Sequence, residues 1–290
     1  MSVNPKLYSE EGDTLEIASR YIDANGIHTH YLECGSPDAP PLVLVHGGGA
    51  GANARGNWSG TIPLFARKFR VIAVEMVGFG HTAKPTGKYE YSQSDRNAHL
   101  LDFLTKMQLG PVSIVGNSMG GATALGVAML RPDLVSRLVL MGSAGLNSEI
   151  SPALKPILHY DFTLEGMRRL VDGLTGTRFV ASEDMIRERF EDSIRPETRR
   201  AYETTMGWIG RQGGLFYAEE DIAKVKTETL VVNGKLDLVV PVSRAYRFLE
   251  LLENSHGHII PHCGHWVMIE APQEFASVVI NFLDPEAILS

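Results

Sequence analysis

Cysteine is scarce in this chain: Cys34 and Cys263 are the only two in 290 residues. Two thiols cannot form the framework of a disulfide-rich secreted domain, so a cytoplasmic protein with reduced thiols is expected. Positive charge is also short. Lys and Arg number 27 against 34 Asp and Glu, for a net charge of -7. Nucleic acids and anionic membranes bind basic faces, so neither is expected as a partner. Long apolar runs are missing too. No run is long enough to cross a bilayer, and the polar stretch from Met1 to Asp13 lacks the apolar segment of a signal peptide. No repeat or low-complexity tract interrupts the chain. At 44% hydrophobic and 21% charged, the composition suits one soluble domain carrying an insertion.

Periodicity gives the organisation. Residues 19–33 alternate around Asn25-Gly26, a hairpin signal because both central positions of a type I′ turn need positive φ. Short apolar runs follow at Pro41–His46, Phe69–Val74, Val112–Val115, Val135–Met141, Thr229–Asn233 and His258–Pro261. Runs apolar on both faces suit buried strands of a parallel sheet. Helical stripes lie between several of them, at Ser94–Leu109, Gly120–Leu130 and Pro272–Leu283. This alternation predicts a mostly parallel, doubly wound α/β sheet. From about Leu146 to Gly214 the rhythm breaks. Helical patterns at Leu164–Leu174, Glu183–Ile194 and Glu197–Ile209 replace the strands. The expectation is a core of residues 1–145 and 215–290, with 146–214 as a helical lid over the strand ends.

The sharpest motif is Gly116-Asn117-Ser118-Met119-Gly120-Gly121. It follows a strand and opens a helix, the context that a nucleophile elbow requires. The turn is crowded, so its neighbours must be small. Ser118 then stands at a helix N-terminus, whose amides and dipole favour an oxyanion. A serine needs a base, and in this arrangement the order is Ser, acid, His. Asp237 follows the strand-turn Leu230–Lys235, and His265 follows the last strand in the loop Cys263-Gly264-His265-Trp266. His262 is the competitor for the base; His265 is preferred because it follows Gly264 ahead of the final helix. The glycine run His46-Gly47-Gly48-Gly49 can turn backbone amides toward a ligand oxygen. An oxyanion hole from the amides of Met119 and Gly48 or Gly49 is expected. No Lys-Ser/Thr follows these glycines, which argues against a nucleotide cradle. His262, Cys263 and His265 lack a second ligand cluster, so no metal site is expected.

On these residues the chain resembles the meta-cleavage-product hydrolases, carbon–carbon bond hydrolases of aromatic degradation with the α/β-hydrolase fold. The elbow Gly116–Thr123, His46-Gly47-Gly48-Gly49, Glu75–Gly80 and Gly264-His265-Trp266 carry the likeness, which spans nearly the whole chain. Tyr160–Thr163 and Trp208–Tyr217 are most similar to the carbazole and dibenzofuran branch. The resemblance implies a 2-hydroxy-6-oxo-6-arylhexa-2,4-dienoate substrate, no cofactor and a homo-oligomer, most often a dimer. It also implies substrate contacts from Asn57, Asn117, Arg189, Trp266 and Trp208, with Arg187 competing for the carboxylate. Ile157, Leu158, Met167 and Met206 are candidates for the aryl subsite. Two departures stand out: Ala50 where many members have proline, and Glu75 where they have aspartate. Two rival functions remain open. One is a carboxylesterase or lactonase using the same triad; the other is a non-catalytic ligand-binding module on the same fold.

Overall fold

A computed structural model describes residues 7–8, 14–146 and 151–284. Eight strands form the main sheet: β1 (Ala18–Ala24), β2 (Ile27–Cys34), β3 (Pro41–Val45), β4 (Arg70–Val74), β5 (Val112–Asn117), β6 (Val135–Met141), β7 (Glu228–Gly234) and β8 (Ser255–Ile260). Their order is β8-β7-β6-β5-β3-β4-β2-β1. Strands β3 to β8 run parallel, while β2 is antiparallel to β4 and β1 to β2. The hairpin between β1 and β2 turns where expected, with Asn25 at φ 50° and Gly26 at φ 73°.

The apolar runs are central strands covered on both faces. Leu42–Val45, Ile114, Val115 and Leu138–Met141 are fully buried, which explains why they read as continuous runs rather than alternations. Helix α1 (Ala54–Trp58) follows β3, α2 (Gln93–Met107) follows β4, and α3 (Met119–Leu130) follows β5. Ser92 and Asp95 form a reciprocal capping box at the start of α2. Helix α3 is buried along most of its length and packs on β5, β6 and α2. That accounts for its small-residue composition: a thin helix can lie close to the sheet.

The chain leaves β3 toward β4 on one side and later returns to β5 on the other. The order therefore reverses between β3 and β5. Such a reversal opens a crevice at the carboxyl ends of the two strands. The glycine loop and Ser118 sit there.

Between β6 and β7 lie α4 (Leu164–Leu174), α5 (Glu183–Ser193) and α6 (Pro196–Gln212). Met167, Leu170, Val171 and Leu174 form the buried stripe of α4. The two ends of this segment meet. Gly145 N donates to Leu215 O at 3.0 Å and Tyr217 N to Gly145 O at 2.9 Å. Helices α7 (Val242–Leu251) and α8 (Pro272–Leu283) complete the layers. No helix among the described residues is long and apolar enough to cross a membrane.

Candidate active site

Ser118 stands between β5 and α3 at φ 53°, ψ -117°. A non-glycine residue rarely adopts this backbone, and it holds only where the surroundings enforce it. The enforcement is close packing. A Cβ on Gly116 would lie 2.6 Å from Gly120 O, and one on Gly120 would lie 2.4 Å from both Val45 O and His46 O. Glycine at both positions lets the turn fit between β3 and α3.

Asp237 and His265 are buried, at 4% and 3% exposure. Asp237 Oδ1 accepts from Val239 N at 2.9 Å and Val240 N at 2.8 Å. Its Oδ2 lies 2.7 Å from His265 Nδ1. An ionised carboxylate only accepts, so Nδ1 carries the proton and Nε2 keeps its lone pair. The histidine loop is tied down twice. His265 N donates to Leu174 O at 2.8 Å. Glu270 accepts from Gly176 N at 2.7 Å and Gly264 N at 3.0 Å. The end of α4 is thus fastened to the histidine loop.

Ser118, His265, Gly47, Gly48, Gly49 and Met119 line one cavity. His46 lies behind the glycines rather than in it. Its Nε2 accepts from Met76 N at 3.1 Å, so its Nδ1 donates to Gly47 O at 2.7 Å. Burial lowers its pKa and keeps the ring neutral. Asn57, Asn117, Arg189 and Trp266 line the same cavity.

Arg189 reaches in from α5. Its guanidinium carbon lies 4.4 Å from the Trp266 ring centroid. Nη2 donates to Ala50 O at 3.4 Å, while Nε and Nη1 have no hydrogen-bond partner among the described residues. Burial pushes this guanidinium down to about 10, against the opposing pull of Asp192. Gly51 makes the approach possible: at φ 67°, a Cβ there would sit 2.0 Å from Arg189 O. Asn117 Nδ2 donates to Met141 O at 3.1 Å, leaving Oδ1 as a buried acceptor without a partner among the described residues. Asn57 Oδ1 is in the same condition. Arg187, by contrast, is exposed, and so is His262.

Ile157, Leu158 and Met206 line the far side of the cavity. Trp208 does not join them. Its ring packs over Arg96, 5.7 Å from the guanidinium carbon. Met167 is fully buried in the core stripe of α4. Trp208 was expected there from the family resemblance and Met167 as a lid residue; an apolar residue on a helix suits a core position equally well. Ala144, Ser151, Leu154, Val239, Val240 and Arg244 also line the cavity and were not anticipated from the sequence. They come from separate segments and share no motif.

A family model described as the alpha/beta hydrolase fold matches residues 40–272. Among curated proteins, the chain is 53% identical to 2-hydroxy-6-oxo-6-(2'-aminophenyl)hexa-2,4-dienoic acid hydrolase of Metapseudomonas resinovorans, over 96% of this chain and 95% of the relative. It is 36% identical to 2-hydroxy-6-oxo-2,4-heptadienoate hydrolase of Pseudomonas putida, over 92% of this chain and 96% of the relative. Among solved structures, a serine hydrolase involved in carbazole degradation superposes with a TM-score of 0.85 at 52% identity, covering 92% of this chain and 98% of that one. A meta-cleavage product hydrolase from Pseudomonas fluorescens IP01 gives 0.86 at 33% identity, covering 93% and 98%. Fold and site together define an α/β hydrolase. Within that fold the chain belongs to the meta-cleavage-product hydrolases, enzymes that cleave carbon–carbon bonds.

Proposed function

We propose that this enzyme hydrolyses the C5–C6 bond of 2-hydroxy-6-oxo-6-arylhexa-2,4-dienoates, giving 2-hydroxypenta-2,4-dienoate and an aromatic acid. One observation carries the assignment: a buried guanidinium with two unpartnered donors shares a cavity with Ser118 and His265. An uncharged ester has no use for such a cation, whereas the dienoate carboxylate does. This favours the dienoate over a simple ester or lactone as substrate. The 2'-aminophenyl substrate in the relative's name supports an aryl group at C6.

Arg189 receives the carboxylate, and Asn57 and Asn117, each with a buried Oδ1 lacking a partner among the described residues, hold the adjoining 2-hydroxy or 2-oxo end. Trp266 stacks under the guanidinium and fixes its plane. The dienol first becomes a ketone by protonation at C5, so that the departing carbon can carry the electron pair. His265, held in its tautomer by Asp237, takes the Ser118 proton as Ser118 attacks the C6 carbonyl. The oxyanion rests on the amides of Met119 and Gly48 or Gly49. The C5–C6 bond breaks, the dienol leaves, and water activated by His265 releases the acid. Residues 146–214 act as the lid that supplies Arg189 and the apolar end of the cavity. The enzyme is cytoplasmic, in keeping with its two thiols, and a homodimer, as the family resemblance implies; light scattering tests the assembly.

Replacing Ser118 by alanine tests the mechanism. The coloured dienoate should bind, but its absorbance should persist through many wild-type turnovers. Undiminished loss of colour would remove Ser118 from the reaction.

A further inference from the structure

A second cluster of chemically competent side chains lies outside the Ser118 cavity. His30 sits on β2, Glu75 at the end of β4, and His81 in the loop that follows. Strands β2 and β4 are neighbours, and Glu75 N donates to His30 O at 3.0 Å. The pairing puts both residues at one level of the sheet. The ligand atoms of His30, Glu75 and His81 all lie within 4.8 Å of one another. Glu75 Oε2 is 2.9 Å from His30 Nδ1 and 3.7 Å from His81 Nδ1. His30 and Glu75 are buried, at 4% and 1% exposure.

Hydrogen bonding leaves one atom unexplained. His30 Nε2 lies 2.7 Å from Ser19 Oγ. Its Nδ1 is buried, faces the Glu75 carboxylate, and has no hydrogen bond among the described residues. When Nε2 donates to Ser19, Nδ1 presents a lone pair to a carboxylate oxygen. Two acceptors at 2.9 Å repel, and either a proton on Nδ1 or a metal ion between the two atoms relieves that repulsion. The carboxylate is meanwhile held in place, with Oε1 accepting from Ala54 N at 3.1 Å and Oε2 from His81 N at 2.5 Å.

We propose that His30 Nδ1, Glu75 Oε2 and His81 Nδ1 bind one divalent ion of the zinc class, with the fourth position open to water. Two imidazoles and a carboxylate suit zinc, cobalt or nickel rather than calcium or magnesium, which prefer all-oxygen sites. Metal–ligand bonds of about 2.0–2.1 Å put tetrahedral ligand atoms roughly 3.3 Å apart. The separations of 2.9 and 3.7 Å bracket that value. The Ser19 contact is the outer-shell bond that orients a ligating histidine. His81, whose side chain is 53% exposed, supplies the give needed to close the site. The surrounding cavity also holds Asn53, Asp192 and Arg195 and is open to solvent. Ser118 and His265 line the other cavity, with Arg189 on the wall common to both, so the ion sits outside the catalytic triad. It is structural, tying the β1–β2 hairpin to the loop after β4 and, through Glu75 Oε1, to the start of α1.

The test uses tag-free protein stripped with a chelator, dialysed, and titrated with Zn2+ by calorimetry and with Co2+ by visible absorption. One ion per chain is expected, with d–d bands typical of tetrahedral Co2+ and a rise in Tm on adding Zn2+. His81→Ala, a change at an exposed loop position, should weaken binding at least about tenfold and abolish the Tm rise. Glu75→Gln should do the same, whereas His256→Ala, at an exposed histidine elsewhere, should change neither. Absence of a stoichiometric site, or binding that survives His81→Ala, overturns the proposal. Dienoate turnover of the wild type is read in parallel as the separate test of the Ser118 site.

Discussion

Replacing Arg189 by methionine should stabilise the protein while disabling it. The guanidinium is 3% exposed, and burial pushes its pKa from 12.5 to about 10. A shift of that size corresponds to about 3 kcal/mol against the charged form in the folded state. The folded-state value lies below the unfolded one, so this cost is present in full below about pH 10 and diminishes only above it. At working pH the native enzyme therefore carries the whole penalty. Against it stand the stacking on Trp266, about 1–2 kcal/mol for a desolvated pair, and a long hydrogen bond to Ala50 O. Methionine fills similar volume without charge, so the net gain should be about 1–2 kcal/mol, or roughly 2–4 °C in Tm for a chain of this size. Activity should move the other way. Two unpartnered donors to a carboxylate, at about 1.5–3 kcal/mol each, set a loss of roughly 10²-fold or more in kcat/KM for the dienoate. Hydrolysis of p-nitrophenyl acetate, which lacks a carboxylate, should change only severalfold. Scanning calorimetry and the two kinetic assays on one preparation decide the matter. A variant that melts earlier and loses both activities equally would refute the reasoning, because Arg189 would then be a structural cation.

Two further outcomes follow from the packing. His99 is buried beside Thr29, and burial pushes its pKa from 6.5 to about 4, with Asp102 opposing. The unfolded chain binds the proton first, so stability should fall by about 3 kcal/mol as pH drops from 6.5 to 4; His99→Gln should flatten that part of a Tm-versus-pH curve, and an unchanged slope would assign the acid sensitivity elsewhere. Gly120→Ala places a Cβ 2.4 Å from two backbone carbonyl oxygens that cannot move independently. It should cost about 3 kcal/mol or more and abolish turnover, and a stable, active variant by denaturant titration would contradict the close packing at the elbow.

The architecture was largely legible because its signals are local. Pro272–Leu283 and Leu164–Leu174 are helices over the spans their stripes indicate. Val135–Met141 is a strand over its whole apolar run. Each is decided by periodicity within one segment. Helix α1 was not anticipated, because five residues, Ala54–Trp58, are too few to show a period. The order in which strands pair depends on contacts between distant segments and has no sequence period at all. The site divides in the same way. Ser118 is announced by the steric demands of its own turn. Trp208 and Met167 do not line the Ser118 cavity, and an apolar residue on a helix looks the same in sequence whether it faces a cavity or a core.

The Arg189 site shows why specificity is harder to read than chemistry. The guanidinium matters only because three unrelated segments meet around it. Gly51 gives up its side chain so that α5 can approach, Trp266 supplies a face, and Asn117 turns its spare acceptor inward. None of these residues is unusual in its own segment. What Arg189, Asn57 and Asn117 share is a buried polar group without a partner among the described residues. A folded protein tolerates such groups where a ligand completes them. Unmet hydrogen bonds therefore point to the substrate end of this cavity, as local sequence constraint points to Ser118. The buried Nδ1 of His30 is an atom of the same kind, and it sets that cluster apart from a surface ion pair. The Asp192 and Arg195 pair on the adjacent helix surface leaves no such orphan and supports no comparable inference.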